Sequence, residues 1–171
     1  MNSKILHTLE QLFQQGTTLQ VTQSTSQTPF FLPSIQTTTP YSETNLSIED
    51  EYKDTFHKLP LELRVLYSRI GSQSEYKYPN ELIFLSLSDI HKRIQSSPYK
   101  HFFDVAIAYA GMGWVHVLAY VPQYSKFFIR MDGGSNGYDR QDNLDKFRDY
   151  IPPLQETTTL EHILKKEFIC D

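Results

Sequence analysis

A chain of 171 residues, 39% hydrophobic and 13% aromatic, has one ordinary domain's length and enough apolar material for a core without covalent staples. Its formal charge of −4, with Lys and Arg spread out, excludes the massed basic surface that nucleic-acid binding needs. The lone Cys170 excludes an internal disulfide and is no zinc site by itself, and no run approaches the roughly 18 apolar residues of a bilayer span. The expectation is a cytoplasmic protein with a free thiol, no cofactor, and neither nucleic acid nor membrane as partner.

Residues 1–16 read as an amphipathic helix. Ile5, Leu6, Leu9, Leu12 and Phe13 form one stripe at the helical period, and Gly16 stops it. So short a helix is marginal alone and must dock, either on its own domain or on a second copy in a homo-oligomer. Residues 17–47 are dominated by Thr, Ser, Gln and Pro, with Glu43 the only charge. That composition predicts a flexible linker, because it buries too little to offset the entropy of ordering. The alternative is that Phe30, Phe31, Leu32 and Ile35 pin it to the domain.

The folded domain is expected from residue 48 to 171. Ser47 followed by Glu49 and Asp50 reads as a helix start. Pro60 opens a second helix whose buried face is Leu63, Leu66, Tyr67 and Ile70, closed by Gly71. Leu82 to Leu85 is a short strand, and Ser86 with Asp89 caps a helix burying Leu87, Ile90 and Ile94. Phe103 to Tyr109 is a strand, and Trp114 to Val121 with Ser125 to Met131 form a hairpin across Pro122-Gln123-Tyr124. Both faces of the first arm are apolar, so it is central; the second carries Lys126 and Arg130 on alternate positions and has a wetter side. Asp142 to Asp145 begins a helix with Leu144, Phe147 and Ile151 inward, ended by Pro152-Pro153. A last helix runs from Thr159, burying Leu160, Ile163, Leu164 and Phe168. The pattern is α+β: a single domain with a central, mostly antiparallel sheet covered by helices.

Asp132-Gly133-Gly134-Ser135-Asn136-Gly137-Tyr138-Asp139 invites a search for chemistry. A calcium loop starting at Asp132 would put Gly134 third and Asn143 twelfth, where a side-chain ligand and a bidentate Glu are needed. A phosphate cradle would want Gly-Lys-Ser/Thr, and here acids flank the glycines. The simpler reading is a sharp turn with Asp139 or Asp142 capping the next helix. His116 beside Trp114 reads as a core or cleft histidine, and no second histidine stands at metal spacing.

Four stretches in order resemble the SMI1/KNR4 (SUKH) superfamily over roughly residues 48 to 151. They are Leu59 to Tyr67 ahead of Gly71; Leu85 to Ile90; Asp104 to Ala108 through Gly111-Met112-Gly113; and Asn143 to Phe147. The resemblance implies an α+β protein-binding domain without catalytic residues. Its members include bacterial immunity proteins, fungal cell-wall regulators and proteins of large DNA viruses. The Thr/Gln/Ser-rich segment suits a eukaryotic or viral, regulatory or host-interaction setting.

The expected function is non-enzymatic protein binding, with Met112, Trp114, His116, Tyr138 and Asp139 as contacts and Arg130 and Asp132 setting charge complementarity. Two alternatives stand beside it. One is a metal-dependent hydrolase or nuclease using Asp132, Asp139 and Asp142, with His116 as a further ligand. The other is a structural or virion component self-associating through the first helix.

Overall fold

The computed structural model describes residues 3–22, 35–41, 44–109, 115–132 and 145–165. Its strands are β1 (Thr17–Thr22), β2 (Ile35–Pro40), β3 (Glu75–Lys77), β4 (Ile83–Phe84), β5 (Phe103–Tyr109), β6 (Val115–Val121) and β7 (Lys126–Asp132). They form one seven-stranded antiparallel sheet in the order β2-β1-β3-β4-β5-β6-β7. The helices are α1 (Ser3–Phe13), α2 (Lys53–Lys58), α3 (Leu61–Ile70), α4 (Leu87–Ser96) and α5 (Leu160–Lys165). The chain is an α+β domain whose central antiparallel sheet is flanked by helices. No helix among the described residues is long and apolar enough to cross a membrane.

The largest departure from the sequence reading lies at the N-terminal end. Thr17–Thr22 and Ile35–Pro40 are not a linker; they pair with each other, and β1 also pairs with β3 through Thr18 and Tyr76. Residues 23–34, including Phe30, Phe31 and Leu32, lie outside the described residues. The domain therefore begins at α1 and not at Ser47.

Leu9, Leu12 and Phe13 of α1 are buried in the main core, so most of its apolar stripe is used within the chain. Only Ile5 of that stripe stays exposed, which is little on which to build a homo-oligomer. Glu10, also buried, accepts hydrogen bonds from the Tyr41 hydroxyl and from Arg69 Nε at 2.8 Å. Burial and the Glu10 carboxylate push the Tyr41 hydroxyl far above its ordinary range. This polar knot ties α1 to α3 and to the segment after β2.

One face of the sheet carries the main core. Tyr76, Phe84, Ala106, Leu118, Tyr120 and Phe127 meet the apolar stripes of α1, α3, α4 and α5 there. Gly71, at φ 80°, ends α3 in a backbone region that favours glycine. Ser86 caps α4 by accepting from the Asp89 amide at 3.2 Å, as its sequence spacing predicts. Thr159 Oγ1 accepts from His162 N at the start of α5. Ser47 caps nothing: the first turn begins at Asp50, after Glu49.

On the other face the described residues form a second, smaller cluster toward the hairpin end of β5, β6 and β7. There Ala119, Val121 and Phe128 pack with Phe102 and Phe147 beneath Tyr99, Tyr124 and Tyr150. Residues 145–147 are helical and Phe147 is buried as expected, whereas Ile151 is 46% exposed. Leu144 and Phe168 lie outside the described residues.

Burial, and after it the charge of Asp89, holds the Glu75 carboxyl above its ordinary 4.5. A carboxyl whose pKa rises on folding favours the folded state when protonated. Its contribution is therefore lost as pH rises through the raised value. Glu75→Gln is expected to remove that loss. Urea midpoints at acidic and neutral pH would test this, and an unchanged pH slope would contradict it.

Candidate functional site

β6 and β7 are joined by Pro122–Ser125, and their register sets Tyr120 against Phe127, Leu118 against Ile129, and His116 against Met131. Side chains alternate along each strand, so His116, Leu118, Tyr120, Phe127, Ile129 and Met131 share one face. At the Phe127 end that face is closed by α5, which the chain enters from Thr158 beside Phe127. Past it no described residue closes the face. Ile129 and Met131 are 44% and 47% exposed, and His116 is half-buried between Ala108 and Met131.

Among the described residues β7 is also the edge strand of the sheet. Phe127 turns its backbone away from β6 and exchanges hydrogen bonds with Thr158 at 2.9 and 2.8 Å. Backbone groups alternate in direction along an antiparallel strand, so Ile129 and Met131 turn theirs outward as well. Among the described residues nothing pairs with them. An edge with two large apolar side chains and free amides is a place where another strand can add.

The hairpin's polarity is the reverse of the sequence expectation. The side predicted to be wetter, with Phe128 and Arg130, is buried, and the apolar Ile129 and Met131 are the wet ones. Arg130 explains the reversal. Its Nε and Nη2 donate to Asp104 at 3.3 and 2.8 Å, and its guanidinium carbon lies 5.1 Å from the centre of the Tyr99 ring. A bulge between Asp104 and Ala106 turns Asp104 onto the Arg130 face, opposite Ala119. The small Ala119 side chain leaves room for the pair to meet across β6.

Arg130 is thus a correction: with its side chain 3% exposed it lines the floor of a cleft and is no surface contact. His116 and the end of β7 are brought together, since Asp132 lies opposite Val115 and Met131 opposite His116. Met112, Trp114, Tyr138 and Asp139, and the side chain of Asp132, lie outside the described residues. The sequence reading missed Ile129 and Met131 as surface residues. Their signal was the alternation itself, assigned to the wrong side.

Three other acids or histidines have identifiable local roles. His91 has Thr55 Oγ1 at 2.8 Å from one ring nitrogen and Gln95 Nε2 at 2.9 Å from the other. His57 Nδ1 lies 2.6 Å from the Lys53 carbonyl. Asp145 sits 3.5 Å from Arg148. Among the described residues no group of three His, Cys, Asp or Glu side chains could hold a metal ion; Asp139 and Asp142 fall outside them.

No family model matches the chain, and no curated protein or solved structure matches it either.

Proposed function

We propose that this chain is a non-catalytic protein-binding domain that takes an extended strand of another protein along β7. The exposed pair Ile129 and Met131 on an open sheet edge carries this reading. Backbone pairing would supply affinity, and alternate side chains of the incoming strand would pack on Ile129, Met131 and His116. The partner strand therefore carries apolar residues at every second position. The resemblance to SMI1/KNR4 proteins supports a protein partner of regulatory or host-interaction type.

A second copy of the chain is the poorer occupant. Opposing Ile129 with the other copy's Met131 would set Arg130 against Arg130. Opposing Ile129 with Ile129 would require the outward groups of Phe127, which Thr158 already holds. A different chain has neither conflict.

The test is affinity capture from the cells that make the protein, using wild type, Ile129→Lys/Met131→Lys, and Ile5→Lys as an exposed control. The double variant is expected to retain its partner at least about tenfold less well, the effect of losing about 1.4 kcal/mol at a contact centre. The control should bind normally. Undiminished binding by a double variant that melts like wild type would overturn the proposal.

A further inference from the structure

Asp104 and Arg130 also form part of a cleft on the face of the sheet away from Ile129 and Met131. Its volume is about 180 Å³, and it lies between the C-terminal end of α4, the connection into β5, and the β5–β7 surface. Three charges converge there. Arg130 grips Asp104 through two N–H donors, and Arg93 Nη1 approaches the same carboxylate at 3.6 Å. Two guanidiniums therefore meet one carboxylate beside low-dielectric walls.

The two arginines differ in what they have left to give. Arg130 and Asp104 are buried, with side chains 3% and 8% exposed, and are fixed by each other. Arg93 is 47% exposed, and its separation from Asp104 exceeds hydrogen-bonding distance. Beyond this ion pair no hydrogen bond from its guanidinium is made among the described residues, so its N–H donors remain open to a ligand in the cleft. Ser97 adds a second donor: its Oγ accepts from the Tyr99 amide at 3.1 Å, which leaves the hydroxyl proton to give. Tyr99 stacks on Phe102 with ring centres 4.8 Å apart and forms a rigid wall.

We propose that this cleft binds a carboxylate, held by the Arg93 fork and the Ser97 hydroxyl. Guanidinium and carboxylate match in plane and spacing, and the pair is charge-assisted. Asp104 in the same wall repels a phosphate dianion more strongly than a monoanion, so the site discriminates against phosphate. The volume suits a short acid. The carboxylate is either that of a free small acid or that of an acidic residue in a polypeptide. The inference does not rest on strand addition at β7, whose contacts Ile129 and Met131 are on the opposite face.

The experiment is an NMR titration of the full chain, following the Arg93 side-chain Nε–H and the Ser97 and Tyr99 amides. The probes are succinate, a capped Ala-Glu-Ala peptide and inorganic phosphate, at matched ionic strength. Saturable shifts with succinate or the peptide are expected, weakened about tenfold or more in Arg93→Gln, with phosphate inert. Arg93 is half exposed, so that variant should keep its fold, and its unchanged spectrum elsewhere verifies this. Tighter binding of the peptide identifies a polypeptide source, and equal or tighter binding of succinate identifies a free acid. Absence of saturation with both acids, shifts indifferent to Arg93→Gln, or phosphate binding as well as succinate would overturn the proposal.

Discussion

Asp104→Ala is expected to lower the stability of the domain by about 3–5 kcal/mol, because it strands a buried guanidinium. The Asp104 and Arg130 side chains are 8% and 3% exposed, and the carboxylate accepts from both Nε and Nη2. Neither group can recover its hydration without opening the sheet. Arg130 is further packed against Tyr99 and Phe147, with its guanidinium carbon 5.1 and 5.9 Å from the ring centres. Replacing both partners, as in Asp104→Ala/Arg130→Met, is expected to cost less than Asp104→Ala alone, since no charge is then left unpaired. Urea unfolding of the two single variants and the double variant gives the coupling directly. A cost for Asp104→Ala below about 1 kcal/mol, the range of exposed ion pairs, would show that water reaches the pair.

Phe13→Ala is expected to cost about 3–5 kcal/mol, the range for emptying a buried aromatic site. Phe13 is wholly buried, meets Tyr76 edge-on with ring centres 5.7 Å apart, and accepts a hydrogen bond from the Tyr76 hydroxyl at its carbonyl. Gly16 reinforces the same junction. A β-carbon there would lie 2.6 Å from the Lys77 carbonyl oxygen and closer still to the Tyr76 ring. Gly16→Ala should therefore cost about 1–3 kcal/mol by overpacking, although a substitution this small in a flexible tail would cost nothing. Thermal and urea unfolding check both variants. A melt unaffected by Phe13→Ala would mean that α1 and β1 are an appendage after all.

The sequence made some parts of this architecture readable for clear physical reasons. Ser86 and Asp89 mark a cap because both the spacing and the chemistry are local. The β6–β7 hairpin is visible because two runs rich in β-branched and aromatic residues flank a proline-containing turn. β1 and β2 were hidden because Thr-rich strands lack apolar alternation, although Thr itself favours extended backbone. They persist because β1 pairs along β3, with Leu19 and Thr18 buried. No local signal announces such a long-range pairing.

The candidate site was half legible. His116 and the strand leading to Asp132 were identified, and the structure joins them through the pairing of His116 with Met131. The choice of face failed because charge was taken as a marker of solvent. Arg130 is buried because a bulge at Val105, on a strand separated from β7 by β6, brings Asp104 to meet it. A bulge shifts strand parity, and parity is what a period-two reading depends on.

The most direct measurement of the strand-addition account is photo-crosslinking in the native cell from a benzophenone side chain at position 131, with position 5 as control. Adducts with one other protein are expected from position 131, lost when Ile129 is changed to lysine, and none from position 5. Adducts joining only two copies of this chain, or a partner captured from position 5 and not from 131, would contradict it.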